Sequence, residues 1–250
     1  STFGDRYIYV VTDWFDVIFE SSAELNNVGR SDTIEVILLP PPDLITTEIN
    51  IADTLHNNEI VPMYYVFENQ GGTTITTQTW LDRIYFSQSP IYNTNFLINA
   101  GTKSLYGPLM PYEPQISSTG LLTPLSATGE YFLYIVSDIN NLVFEHVYES
   151  NNVKRTINPF IIVNPDLAPE NLSHADTAIS GSFIPFSWDL INQGPGHLIN
   201  RNFYQNIYIS TQAVFDAETA TQLTSLYAVV PSLQAEDTLQ YQTYVTLPDG

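Results

Sequence analysis

Along this chain, apolar and polar residues alternate in short runs rich in Val, Ile, Tyr, Phe and Thr, each bounded by Gly, Pro, Asn, Asp or Ser. Alternation with a period of two gives a strand one face for a core and one for water, so the pattern predicts strands from end to end. Phe186, Trp188 and Leu190 alternate with Ser187 and Asp189, and Met63, Tyr65 and Phe67 hold the same apolar face earlier in the chain. Further strands are expected over 80–87, 116–122, 131–136 and 156–163. Pro62 and Pro185 cannot donate to a ladder, which puts the start of their strands at a sheet edge or a bulge. Asn69-Gln70-Gly71 ends one strand with a glycine free to take a positive φ and turn the chain. Residues 89–114 read as a hairpin plus loop, and 212–221 as one helical turn within a loop.

The pattern recurs. The block Asp13-Trp14-Phe15-Asp16-Val17-Ile18-Phe19-Glu20-Ser21-Ser22-Ala23-Glu24-Leu25-Asn26-Asn27 returns 125 positions later, without a gap, over residues 138–152. A second alignment sets residues 42–93 on 165–216 at a spacing of 123, matching Asn69-Gln70-Gly71 with Asn192-Gln193-Gly194 and Ile84-Tyr85-Phe86-Ser87 with Ile207-Tyr208-Ile209-Ser210. Repeats of about 120 residues are near the usual domain size. Gly4, Gly129 and Gly250 share one phase, so residues 1–41 are expected to be the closing strands of a first unit, 42–164 a complete unit, and 165–250 the opening part of a third. With seven or so antiparallel strands per unit, the expected fold is all-β: tandem immunoglobulin-like β-sandwich domains with incomplete outer units. Pro40-Pro41-Pro42 and Asn164-Pro165 join the units with stiff spacers.

Composition narrows the function. Asp and Glu number 27 against 7 Lys and Arg, a formal charge of −20, which repels nucleic acid and attracts cations. Cysteine is absent, so there is no disulfide staple and no thiolate chemistry. The apolar runs at 34–39 and 131–136 are too short to cross a bilayer as helices, and membrane insertion is not expected.

Pro42-Asp43-Leu44, Asn69-Gln70-Gly71, the strand 84–87, Gly129-Glu130-Tyr131, Asp138, Glu145, Glu149 and Asn151-Asn152 together resemble the CARDB family, the cell-adhesion-related domain found in bacteria. The resemblance extends over nearly the whole chain. It departs in one spacing, since Glu145 and Glu149, like Glu20 and Glu24, stand four apart where the family pattern has three. It implies an immunoglobulin-like module in tandem array, acting as stalk or adhesion element at the bacterial exterior, and it does not imply an enzyme.

Calcium takes six to eight oxygen ligands at flexible geometry. The acidic block offers such a set twice: Asp138, Asn140, Asn141, Glu145, Glu149 and Asn151 in one copy, and Asp13, Asp16, Glu20, Glu24 and Asn26 in the other. The alternative is a solvated turn in which Asp and Asn bond nearby backbone groups. Phe19 and Phe144 are expected to pin the two loops to a core. Glu20/Glu24 and Glu145/Glu149 have the spacing of a glycosidase pair, but repetition of the loop suits a structural role better. His56, His146, His174 and His197 occupy non-equivalent positions, and neither a His-x-x-x-His nor a Gly-x-Ser-x-Gly is present. Trp80 and Trp188 fall on core-facing strand positions, which leaves Trp14 as the exposed aromatic for a sugar.

These readings converge on a non-catalytic spacer and adhesion module of a large bacterial cell-surface or secreted protein, with Ca2+ as the expected ion. The alternative is a carbohydrate-binding accessory region of a secreted enzyme. Expected partners are a cell-surface protein or glycan, and other copies of the chain, whose incomplete outer units would complete one another by strand exchange.

Overall fold

The computed structural model describes residues 3–37, 40–77 and 79–249; Gly250 lies outside the described residues, as does the side chain of Glu24. The fold is all-β. A first segment contains β1 (Gly4–Arg6), β2 (Tyr9–Val11), a 3-10 turn (Ser21–Asn26), β3 (Val28–Arg30) and β4 (Ile34–Val36), with β1 paired to β4 and β2 to β3.

The middle assembly is a two-sheet sandwich. One sheet runs in the order β10 (Gln115–Leu122), β7 (Ile60–Asn69), β5 (Leu44–Asn50). The other runs β6 (Thr54–His56), β13 (Phe160–Val163), β11 (Gly129–Val136), β8 (Thr79–Ser87), β9 (Ile98–Tyr106), and β12 (Val153–Arg155) also pairs with β11. The inward faces of both sheets meet in one core that holds Leu44, Met63, Tyr65, Phe67, Trp80, Ile84, Phe86, Leu133, Ile135 and Phe160. This is the layer arrangement that period-two patterning demands. β13 pairs with β6 in parallel, so the sheets are not wholly antiparallel.

A third assembly follows, with one sheet of β14 (Leu167–Ser173), β15 (Phe183–Asn192) and β18 (Thr238–Thr246) and a second of β16 (Leu198–Ile209) and β17 (Thr221–Leu233). Its buried core is smaller and centres on Leu190, Val230 and Leu233.

Pairing registers recur at the two sequence spacings. Tyr9, Val10 and Val11 face Arg30, Gly29 and Val28, and 125 positions on, Tyr134, Ile135 and Val136 face Arg155, Lys154 and Val153. β5, β7, β9 and β10 correspond to β14, β15, β17 and β18 at 123, and the bulge between Ile84 and Tyr85 returns between Ile207 and Tyr208. The stretch 89–114 therefore contains β9, hairpin partner of β8, and the 123-residue correspondence continues well past residue 93.

Two details differ from the sequence-based expectation, and a third, at Pro62, refines it. The strand expected over 156–163 covers only Phe160–Val163, because Pro159 offers no N–H and Thr156 turns its hydroxyl to accept from Leu133 N–H at 3.3 Å. Pro62 lies in the central β7, but β5 pairs with β7 only as far as Tyr64, so Pro62 meets a partner on one side alone, as an edge position requires. Gly71 and Gly194 do not adopt positive φ. They are glycines for lack of space: a Cβ on Gly71 would come within 2.1 Å of Pro41 O, and one on Gly194 within 2.4 Å of Asp166 N. Asn69 makes this close approach a clasp, its Oδ1 accepting from both Asp43 N–H and Gly71 N–H at 3.0 Å; Asn192 does the same for Asp166 and Gly194 at 3.0 and 3.2 Å. The Pro-Asp-Leu and Asn-Gln-Gly motifs are thus two halves of one buried lock.

Candidate functional site

The acidic block forms the long connection between β11 and β12. Its course is fixed by three left-handed residues, Asp138 (φ 43°), Asn141 (φ 53°) and His146 (φ 57°), whose counterparts Asp13 (φ 41°), Asp16 (φ 53°) and Ser21 (φ 60°) bend the first segment in the same way. Asp and Asn tolerate this conformation better than branched residues do. The first acid of each copy then staples its own loop. Asp138 Oδ2 accepts from Val143 N–H at 2.6 Å; Asp13 accepts from Val17 N–H at 2.9 Å and Ile18 N–H at 2.7 Å.

In the middle sandwich the loop is tied down by buried polar groups. Glu145 is wholly buried; one carboxylate oxygen accepts from Leu44 N–H and the other from Asn152 Nδ2 at 2.5 Å. Asn151 Nδ2 donates to Asp43 Oδ1 at 2.9 Å, and Glu149 Oε1 accepts from Glu145 N–H at 2.9 Å. Behind the loop lies a pair that the sequence reading did not single out. Asp82 is fully buried, accepting from Asp138 N–H at 3.0 Å and from the Tyr65 hydroxyl at 2.9 Å. Its signal was available, since Asp82 shares the inward parity of Trp80, Ile84 and Phe86.

Burial dominates the titration of these acids. It pushes Glu145 up to about 7, with Glu149 and Asp43 adding to the rise and the bonds from Asn152 and Leu44 opposing it. It pushes Asp82 up to about 6 against the bonds from Asp138 N–H and Tyr65. Burial also raises the Tyr65 phenol, helped by the Asp82 charge.

Of the other sequence-selected residues, Asn141 keeps its amide beside the Glu149 carboxylate. Asn140 and Asn141 are exposed, as are Asp16, Glu20 and Asn26 in the first segment. Among the described residues, no group of three or more His, Asp or Glu is placed to hold a metal ion. Of the middle-loop oxygens that turn inward, both of Glu145 and Oδ2 of Asp138 accept N–H donors, while Asp138 Oδ1 and Asn152 Oδ1 are buried without a partner. Glu145, with no exposed surface, cannot reach a substrate as half of a glycosidase pair. Phe144 and Phe19 are not core anchors: they are 69% and 87% exposed, and Val143, one residue earlier, packs in the core instead. Trp14 is 74% exposed, whereas Trp80 and Trp188 are buried.

A second cluster joins the middle and third assemblies. The rings of His56 and His197 stack 3.4 Å apart, His197 Nε2 lies 2.8 Å from Glu59 Oε1, and Arg201 donates to Asn58 O. Burial lowers the His56 pKa, and the facing His197 lowers it further against the pull of Glu59.

No protein-family model matches the chain, and no curated protein does. Among solved structures, the chain is similar to the CARDB domain of a Pyrococcus furiosus protein crystallised in complex with di-metal ions: 20% identity, 50% of this chain, 94% of that one, TM-score 0.35. The solution NMR structure of the same domain gives 21% identity, 50% and 97% coverage, and TM-score 0.34.

Proposed function

We propose that the chain is a non-catalytic spacer and adhesion region of a bacterial cell-surface or secreted protein, built from tandem sandwich units divided near residues 41 and 164. The observation that carries this reading is the inward use of the acidic loop. The loop is tied to the start of the same sandwich, the Glu145 carboxylate accepting from Leu44 N–H and the Asn151 amide donating to Asp43, so entry and loop are fastened to each other. A unit whose entry is cross-tied to this loop by buried polar bonds resists being pulled open, as a stalk requires. The Pro-rich joints, the acidic surface and the arrangement of clasps favour the same role.

The direct test is force spectroscopy of the chain held between handles. A discrete unfolding step that releases roughly 40 nm, from about 3.4 Å per residue over one unit, is expected, with the force reduced in Glu145→Ala. Unfolding with no resolvable step would refute the spacer reading. Calcium stays a candidate ion of the acidic loop, where Asp138 Oδ1 is buried without a partner: a rise of several degrees in melts with Ca2+ over chelator would establish it, and coincident melts would exclude it. A carbohydrate-binding reading rests on the exposed Trp14; retarded migration in a polysaccharide gel, abolished by Trp14→Ala, would establish it.

A further inference from the structure

The outer face of the β14–β15–β18 sheet departs from the repeat. Ile184, Phe186, Trp188 and Leu190 turn inward, so Phe183, Pro185, Ser187 and Asp189 point out, and they pair across the ladder with Thr246, Tyr244, Gln242 and Gln240. At the 123-residue spacing the middle sandwich has Ile60, Pro62, Tyr64 and Val66 there, paired with Leu122, Gly120, Ser118 and Ile116. A largely aliphatic surface in one unit is a surface of rings and amides in the next.

The middle sandwich also shows that this face is open in a whole unit. Every other strand of that sandwich lies in the opposite sheet, and with the third assembly in place Ile60 and Ile116 are still 76% and 72% exposed. Exposure of this face is therefore a property of the sandwich itself.

The chemistry changes along the face, which runs about 20 Å from Phe183 to Asp189 at 3.4 Å per residue. At one end the rings of Phe183 and Tyr244 stack with centroids 5.0 Å apart and planes within 10° of parallel, and they are 66% and 53% exposed. At the other end β14 bulges between Glu170 and Ser173, and Asn171, at φ 52°, donates from its amide to Asp189 Oδ2 at 2.8 Å. Asn171, Ser187, Asp189, Gln240 and Gln242 line a shallow hollow of about 390 Å3. Among the described residues, the amides of Gln240 and Gln242 and the second oxygen of Asp189 have no partner.

We propose that this face binds a neutral polysaccharide. A pyranose carries C–H groups on its faces, which lie against an aromatic ring, and hydroxyls around its rim, which need donors and acceptors side by side. The two glutamine amides offer both, and Asp189 adds an acceptor. Charge selects the class of sugar. β14, β15 and β18 contain no Lys or Arg, and Asp189 with its pair Glu170 makes the hollow acidic, so uronic acid or sulfated chains are repelled. The length of the face suits several linked sugars. This deepens the adhesion half of the function proposed above, on which it rests, by naming what the module holds.

Affinity electrophoresis of the full chain tests the site, in gels containing a soluble glucan, a xylan, a mannan or polygalacturonate. Retardation is expected in at least one neutral gel and not in polygalacturonate. Tyr244→Ala and Gln240→Ala/Gln242→Ala should each weaken binding about tenfold, through loss of the ring contact or of the paired hydrogen bonds. Tyr244→Phe keeps the ring and should bind nearly as the unmodified chain does, as should Trp14→Ala and, on the matching face of the middle sandwich, Ile116→Ala. Free passage through all three neutral gels, retardation by polygalacturonate, binding that survives both variants of the face, or binding lost in Trp14→Ala would each overturn the proposal. The unfolding step under force reads the spacer role separately, so free passage with that step intact removes the site alone.

Discussion

Replacing Glu145 separates the two things a buried carboxylate does here. Glu145→Ala removes the acceptor for Leu44 N–H and Asn152 Nδ2, both buried, and leaves a small void. An unsatisfied buried donor costs about 1–3 kcal/mol, so the loss should be roughly 3–5 kcal/mol. Glu145→Gln keeps the volume. Gln Oε1 can still accept from Leu44, and an end-for-end turn of the Asn152 amide brings its Oδ1, otherwise buried without a partner, to face the new NH2. That variant should lose under 1 kcal/mol near pH 8, because it also removes the burial of a charge.

The pH dependence gives the sharper discrimination. With its folded-state pKa raised from 4.5 to about 7, Glu145 contributes stability that is complete below the ordinary carboxylate range and lost as pH rises through 7. At about 1.4 kcal/mol per tenfold change in proton affinity, this is on the order of 3 kcal/mol between pH 4 and pH 8. Urea denaturation followed by tryptophan fluorescence across that range should show the decline in the unmodified chain and a much flatter profile in Glu145→Gln. If Glu145→Gln is as unstable as Glu145→Ala and keeps the full pH slope, the account of Glu145 is wrong.

Other positions give independent tests. Gly71→Ala and Gly194→Ala each drive a Cβ into the preceding linker backbone and should cost roughly 1–3 kcal/mol, whereas Gly129→Ala, with open space around it but φ at 87°, should lose only about 1–2 kcal/mol; thermal melts read both. Tyr65→Phe strands a buried oxygen of Asp82, and should lower stability by about 1–2 kcal/mol while driving the Asp82 pKa above its value of about 6, visible by carboxyl NMR. At the joint, the His56 pKa lies below the ordinary 6.5, so its stabilising contribution is present above that value and lost as pH falls. Small-angle scattering should show the middle and third assemblies loosening as pH falls below 6.5, and His56→Phe, which keeps a ring on His197, should suppress the change.

Much of this architecture was legible in the sequence because strand parity is local. Trp80, Ile84 and Phe86 point inward because they share one strand parity, and a two-residue period needs no knowledge of what lies opposite. The repeat was legible wherever side chains are constrained by the backbone itself: the left-handed Asp13 and Asp138, the clasp of Asn69 with Gly71. It faded where only the pairing is shared, as between β9 and β17, since a ladder of main-chain bonds holds its register under almost any side chain. The role given to Gly71 shows the same boundary, because a glycine required by a distant linker looks, in sequence, like one required by its own turn.

The acidic loop marks the other limit. Its composition announced many oxygens in a small space but not their direction. Whether a carboxylate faces an ion, a substrate or a backbone N–H depends on partners such as Leu44 and Asp82, which are 101 and 56 residues away from the groups they bind. The sequence alone determined that strands, turns and acids recur; the packing of one sheet on the other decided that Glu145 is sealed inside while Phe144 is left in water. Burial and hydrogen bonding are properties of where two remote segments meet, and that meeting is set by the fold as a whole.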